Sequence, residues 1–449
     1  MPHSRRTERL DCDVLVLGAG LAGQRAAWAA AETVPGLRIL IVSPVKTPSG
    51  SSFANRNDAL GLQVPGLDQA DEFMEEVLAL AGPAAVRLDL VRAMADDAPM
   101  RLTELLSLNL AFRRDAAGGL MRFPGCFSAV PRAVIFDGLA KAHAAFRAKV
   151  RSLGAEFLHG YAAIGLDRDA AGRVCGAQLL ALRSSPNRED RLDIRAKTVV
   201  AALGGPAALY ATHICGPGGT GLSYGLLAEA GAEIVNAPFM QFFWGEAGSL
   251  AFVNPGDLPW PDSAADLAAA RRGHCPVASG LPDRQLDLAL LARRDANGLV
   301  QVPGRPPIVL AAQAGNGGAL IDADGRTAAA GLYACGECAG GMHGADRIGG
   351  CMVLAALTFG ARAGAAAARE AAGRESHAIL ATPPAEAGLR PEFLPRLRRS
   401  MQLHGLPGPQ QKGRESFLTR LRAAVRRNAG REALLARSAL AVLGAKTEY

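Results

Sequence analysis

The chain is poor in aromatic residues, which make up 5% of its 449 positions, so its cores must be packed mainly with aliphatic and alanine side chains. It also lacks any run approaching the roughly 18 to 20 apolar residues that cross a bilayer. Its apolar stretches are broken by Gly, Arg or Asp, and no transmembrane span is expected. A secretory leader is not expected either. Ser4-Arg5-Arg6 faintly matches a twin-arginine export signal, but the apolar segment behind it begins at Asp13 and reads as a structural strand. No internal repeat is visible. The net charge of +7 comes mostly from arginine, and the one dense basic stretch lies between Arg390 and Arg431. Aromatic residues do not interleave with those arginines in a binding pattern, so a solvated helical face is expected there and nucleic acid is not. Eight cysteines without a leader imply reduced thiols in a cytoplasmic setting.

What is abundant is glycine and small apolar side chains: 52 glycines and 49% hydrophobic residues suit an alanine-rich α/β enzyme with two or three domains. The chain is organised around Gly331-Leu-Tyr-Ala-Cys-Gly-Glu-Cys-Ala-Gly-Gly-Met-His-Gly-Ala-Asp-Arg-Ile-Gly-Gly350, which reads as a short strand, a glycine-rich loop and then a helix. Backbone amides freed by glycine can approach a ligand closely, and a helix N-terminus favours an anion or an electron-rich edge. A turn that merely packs helix on strand would use the same residues.

A second such unit opens the chain. Asp13-Val-Leu-Val-Leu17 is a buried-strand pattern, Gly18-Ala-Gly20-Leu-Ala-Gly23 follows, and a helix begins at Gln24. This is the G-x-G-x-x-G dinucleotide fingerprint in its strand-to-helix context: the first glycine turns, the second admits a pyrophosphate and the third lets helix and strand pack. The next strand, Arg38 to Val42, ends in Ser43 where nicotinamide-binding versions place an acid, which argues against NAD. Ser43 and Lys46 suit another adenosine.

Further along, the polar segment Ser49 to Asn57 reads as a loop, with helices over 69–80, 85–110 and 133–153. A hairpin is expected from 156–166 and 173–182 about the turn at Asp169. Another buried strand, from Lys197, ends at Gly204 and Gly205, and a helix spans 222–232. Between about Gln241 and Pro307, prolines, tryptophans and irregular spacing suggest an inserted domain. The expected organisation is a discontinuous cofactor domain over 10–240 and 309–372, a cap over 241–308 and a helical region over 373–449.

These pieces, in this order, resemble the FAD-dependent family of succinate dehydrogenase and fumarate reductase flavoprotein subunits and L-aspartate oxidase. Gly18 to Gly23 is similar to the family's FAD pyrophosphate turn, and Gly50-Ser-Ser-Phe to its flavin-contacting segment. Leu203-Gly-Gly205 resembles its A-T-G-G strand end. Gly218-Gly-Thr-Gly221, Ala230-Gly-Ala-Glu233 and Phe239-Met-Gln-Phe242 follow its T-G-D-G, A-G-A-E and F-x-Q-F-H-P series.

The resemblance implies a Rossmann-like FAD-binding domain with an inserted capping domain and FAD lying extended along Gly18, Ala19, Gly20, Leu21, Ala22 and Gly23. Its adenosine would lie near Ser43, Lys46 and Ala162, and other parts near Gly50, Ser51, Ser52, Asn55, Gly204 and Gly205. Glu337 would meet ribityl or ribose hydroxyls. Gly350, Cys351, Met352 and Val353 would point amides at the flavin, where the helix dipole stabilises negative charge. Covalent attachment in the dehydrogenase branch uses a histidine at the place of Ser51, so the FAD is expected to be non-covalent.

The substrate residues depart from the family pattern. The family's F-H-P histidine and proline fall at Phe243 and Trp244, a second histidine near Gln313, and a proton-shuttling arginine at Leu299. Arg347, the carboxylate-binding arginine, stands in place, and Arg293 or Arg294 are candidates to compensate. The expectation is an FAD oxidoreductase acting on a small carboxylate-bearing or more hydrophobic substrate. The alternative is an electron-transfer flavoprotein subunit working with an iron–sulfur or haem partner, and a third reading is an inactive FAD-stabilised scaffold. For Cys335 and Cys338 the readings are buried thiols, a redox disulfide or a metal site, with four metal ligands not in evidence. Of the three cysteines including Cys351, the last is expected to touch the flavin.

Overall fold

The computed structural model describes residues 7–182, 190–375, 388–408, 412–427 and 430–445. The faint export-signal match at Ser4 to Arg6 lies outside them. At the centre is a seven-stranded sheet in the order Glu156–His159, Ile39–Ser43, Thr7–Leu17, Arg191–Ala201, Val174–Ala181 and Tyr161–Arg168. The first four strands run parallel. Arg191–Ala201 is shared: its first half pairs with Val174–Ala181, and its last three residues pair in parallel with Leu332–Ala334. This brings the end of the first strand, the glycine pair after Ala201 and the strand of the 331–350 stretch to one edge of the sheet. That edge is the carboxyl end of the parallel strands, where open α/β sheets bind ligands.

Two helices cover one face. Leu21–Thr33 packs along Cys351–Ala372 so closely that a Cβ at Gly364 would lie 2.0 Å from the carbonyl oxygen of Ala26. Small residues here let backbone meet backbone. Among the described residues, Cys351–Ala372 is the one helix long and apolar enough to cross a membrane by length and composition, with a mean hydropathy of 1.5. It carries Arg362 and Glu370 inside that span, and most of it is buried in the protein core.

Several expected elements move. The helix expected over 133–153 is a strand, Pro131–Asp137, then a helix, Leu139–Ser152. Val134, Ile135 and Phe136 favour extended backbone and pair with Ala59–Gln63, and Gly138 breaks the run at a φ of 76°. The expected hairpin is divided in the same way: Gly160, at a φ of 86°, separates Glu156–His159, parallel to Ile39–Ser43, from Tyr161–Arg168, antiparallel to Val174–Ala181. The helix expected over 85–110 spans Leu88–Ser107, and the polar 49–57 segment contains a single helical turn, Gly50–Phe53.

The segment with irregular spacing begins and ends in one sheet. Met240–Glu246 pairs antiparallel with Ile308–Gly315, which also pairs with Leu299–Val300. Between these strands the fold is held by a buried polar centre. Arg271 and Asp287 pair at 3.1 Å with no exposed side-chain surface, and Trp244 Nε1 donates to Asp287 Oδ1 at 2.8 Å. Trp244 is thus part of this core. Toward the C-terminus, helices Phe393–His404, Arg414–Arg427 and Arg431–Val442 close the molecule. Part of the basic stretch there is structural: Arg414 donates to the carbonyls of His404 and Leu443 at 2.6 and 2.7 Å.

Candidate active site

A cavity of about 1050 Å³ opens at the carboxyl edge of the central sheet, at the upper end of the roughly 300–1,000 Å³ usual for small-molecule sites. Its wall brings together Gly18 to Ala22, Ser43, Gly50 to Ser52, Asn55, Ala162, Gly204, Gly205, Glu337, Arg347, Gly350, Met352 and Val353. These come from segments far apart in the chain.

One half of the wall is backbone. Gly18 has a φ of 118°, and a Cβ there would sit 2.1 Å from the carbonyl oxygen of Ala202. Gly23 does not line the cavity: a Cβ there would lie 1.9 Å from Gly18 O, so this glycine serves the close packing of turn and helix. The helix Leu21–Thr33 starts without a side-chain cap or an acid in its first turn, which leaves its N-terminal amides and dipole available to an anion. Ser52 Oγ accepts from Leu21 N at 3.2 Å and ties the 50–53 turn to that end. The helix Cys351–Ala372 likewise begins at Gly350, at a φ of 91°, with no acid in its first turn.

Glu337 is the carboxylate of this half. It accepts from Gly315 N at 3.0 Å. Burial pushes its pKa up, opposed by hydrogen bonds from Gly315, Gly205 and Ser51 and by Arg347. A Cβ on Gly205 would fall 2.0 Å from Glu337 Oε1, so the carboxylate occupies the space a side chain would take. A buried carboxylate facing a cavity suits hydroxyl donors, which satisfy its remaining lone pairs. Amide-lined anion sites at one end, this carboxylate between and a second helix start at the other match an extended dinucleotide with sugar hydroxyls.

The other half is made of side chains. Arg347 Nε donates to Asn316 Oδ1 at 3.1 Å, and its Nη2 to Gln241 Oε1. Burial lowers its pKa from the usual arginine value. Phe243, Gln313, Cys126, Cys275 and Arg56 share this wall, and no histidine among the described residues lines the cavity.

Besides Gly23, four expected contacts fall elsewhere. Lys46 is exposed outside the cavity. Arg293 is exposed, with its guanidinium 5.7 Å from the Trp260 ring centroid, and Arg294 is half-buried; neither lines the cavity. Cys351 is packed in the apolar core, where burial pushes its thiol up to about 12, and it is Cys335 that reaches the wall. Cys338 Sγ donates to the carbonyls of Ala201 and Cys335 at 3.4 Å, and both thiols of this C-x-x-C are free and buried. Sequence reasoning missed Arg56, Cys126 and Cys275, and Asn316 behind Arg347. None belongs to a spaced motif; only the fold brings the first three to the wall and Asn316 to Arg347.

The fold and site define a dinucleotide-cofactor oxidoreductase. The FAD binding domain family matches residues 13–250 and 277–353. L-aspartate oxidase of Caulobacter vibrioides is 31% identical over 404 residues, covering 80% of this chain and 76% of the relative. A fumarate reductase (CoM/CoB) subunit of Methanothermobacter marburgensis is 26% identical, covering 81% of this chain and 74% of the relative. One chain of the Mycobacterium smegmatis Sdh1 complex in the apo form shares the fold, with a TM-score of 0.77 and 21% identity over 97% of this chain and 85% of that one. The chain belongs to the FAD-dependent oxidoreductase family of L-aspartate oxidase and the succinate dehydrogenase and fumarate reductase flavoproteins.

Proposed function

We propose that the protein holds FAD without a covalent bond and exchanges two electrons with a small substrate that carries an anionic group or a more hydrophobic body. The observation that carries this reading is the state of Arg347. Its guanidinium is buried in the cavity wall between two neutral amides, and among the described residues it makes no ion pair with a carboxylate. A buried cation without a counter-ion is costly, and an anionic substrate would offset that cost.

Bound FAD supplies hydride exchange. Gly18 to Ala22 and the helix behind them would hold its pyrophosphate, Ser43 and Ala162 its adenosine, and Glu337 its hydroxyls. Gly350, Met352 and Val353 would line its flavin end, where the helix N-terminus favours negative charge. Arg347 would orient the substrate anion, and Phe243 would keep water from the reacting face. Phe243 and Gln313 stand where the family pattern has histidines, which supports a substrate outside the familiar dicarboxylates. Residues 241–308 would serve as the cap. Ser51 offers a hydroxyl, not an imidazole, to any attachment, so acid precipitation should leave the flavin in the supernatant. Eight unbridged cysteines support a reducing, cytoplasmic setting.

Anaerobic titration of the reduced and oxidised protein with succinate, fumarate, L-aspartate and larger monocarboxylates, read by flavin absorbance, tests the reading. A spectral change with a carboxylate that disappears in Arg347→Ala supports it, and none with any carboxylate overturns the anionic substrate. The relative named as a fumarate reductase component motivates a second reading, electron transfer within a complex. Copurification of an iron–sulfur protein would favour that one.

A further inference from the structure

Three segments meet beside Arg347. The loop after Phe123–Pro124 carries Cys126, whose carbonyl accepts from Gly349 N at 3.0 Å. The 274–279 segment carries Cys275 and is tied down on several sides. Arg271 Nη2 donates to the Cys275 carbonyl at 3.1 Å, Val277 N to Phe242 O at 2.8 Å, and Ser279 N to the Asp346 carboxylate at 2.8 Å. His274 Nε2 is 2.7 Å from Asp283 Oδ2. The two segments are pressed together by their neighbouring residues: the rings of Phe127 and His274 stack with centroids 4.5 Å apart and planes at 28°. Cys126 and Cys275 both line the cavity, and each lies close enough to influence the other's ionisation.

We propose that Cys126 and Cys275 are a thiol–disulfide site in the cavity wall. Cys126 is the nucleophile and Cys275 the resolving thiol, and the bond between them fastens the 274–279 segment to the 125–128 loop over the substrate half. The oxidant is a small-molecule disulfide. Cys126 thiolate attacks one sulfur, forming a mixed disulfide and releasing one thiolate. The Cys275 thiol loses its proton and attacks Cys126 Sγ, forming the Sγ–Sγ bond and releasing the second thiol. Two protein thiols are oxidised and one small disulfide is reduced to two thiols.

The environment assigns the roles. Proximity to Cys275, His274 and Arg347 lowers the Cys126 pKa, while the neighbouring Cys126 and burial raise that of Cys275. A lowered pKa gives more of the attacking thiolate. Cys275 is exposed and Cys126 half-buried, so a small reagent can reach them, whereas Cys335, Cys338 and Cys351 are buried. Cys215 provides an internal contrast. It lines the same cavity, but its sulfur sits 3.1 Å from His213 Nδ1 and burial pushes its thiol up to about 12. The proposal does not depend on which substrate Arg347 holds. A transient bridge of this kind is the form a disulfide takes in a reducing compartment.

The test uses the full chain with its FAD, equilibrated in glutathione buffers of rising oxidised fraction and digested without reduction. The expected product is a linked peptide pair containing Cys126 and Cys275, with two of the eight thiols lost. Cys275→Ser should stop at a glutathione adduct on Cys126, and Cys126→Ser should leave Cys275 unmodified. Retained flavin absorbance in both variants shows that they are folded. Bridge formation should slow FAD release, because it removes opening motions of the wall, and release from either variant should not respond to the buffer. A folded wild-type protein that yields no Cys126–Cys275 peptide, or whose first adduct is on Cys215, would overturn the proposal.

Discussion

The two halves of the cavity are built on different principles. The half assigned to FAD is made of backbone, with glycines at 18, 20, 204, 205 and 350 bringing main-chain atoms and two helix starts to the wall. The half around Arg347 is made of side chains, with Gln241, Phe243, Asn316, Cys126 and Cys275 arriving from segments far apart in the chain. A backbone site tolerates little change where a Cβ would collide, as at Gly18 with a main-chain carbonyl and at Gly205 with the Glu337 carboxylate. A side-chain site can be rewritten one residue at a time while the fold stands. Phe243 and Gln313 both lie in the second half.

The largest effect that separates the halves is expected from Arg347→Ala. It should lower kcat/KM on the true substrate by about 10²- to 10³-fold, the magnitude of losing one preorganised electrostatic donor, with FAD content unchanged. Arg347→Lys should recover only part of it, since a lysine cannot bridge Asn316 and Gln241 as a planar fork does. Loss of flavin from Arg347→Ala would show that the two halves are not independent. The converse variant is Gly205→Ala, whose added methyl would meet Glu337. Overpacking of this kind costs about 1–3 kcal/mol, expected as weaker FAD binding in a flavin titration of the apoprotein.

Glu337 sharpens the comparison through pH. Burial raises its pKa, so the folded apoprotein keeps a proton there that the unfolded chain has already released. Its contribution to stability is full below the ordinary glutamate value and is lost as pH rises through the raised one. The Tm of apo Glu337→Gln should therefore fall less than wild type over that window, and FAD, by donating hydroxyls to the carboxylate, should shrink the difference. An identical pH slope in the two apoproteins would remove Glu337 from the cofactor half. The smallest effects belong to Arg293→Ala and Arg294→Ala. Both lie outside the cavity, and each should change activity and stability by no more than about 0.5 kcal/mol. A large loss of activity in either would place the substrate half elsewhere.

These contrasts explain what was legible in advance. The glycine turn from Gly18 to Gly23 could be read because its strand and helix flank it within about twenty residues, so local spacing carries the geometry. Glu337 and Gly350, which also line the cavity, lie in a stretch whose strand and helix are equally local. Cys351 was misjudged because the direction of a side chain in the first turn of a helix depends on what packs against that turn, and here the apolar core claims the thiol. Ala133 to Phe136 read as helix because a short apolar run carries no period of its own, and the pairing with Ala59–Gln63 decided it.

By itself the sequence determined the α/β class, the dinucleotide turn and the family. These depend on residue type at short spacing, which backbone stereochemistry converts directly into shape. Only the tertiary structure decided that Arg347 faces two amides and no acid, that Arg293 and Arg294 are remote from the cavity, and that Cys126 meets Cys275 across it. Such facts depend on contacts between segments 31 to 149 residues apart. No local rule constrains them until the sheet and its covering helices have brought those segments to one edge.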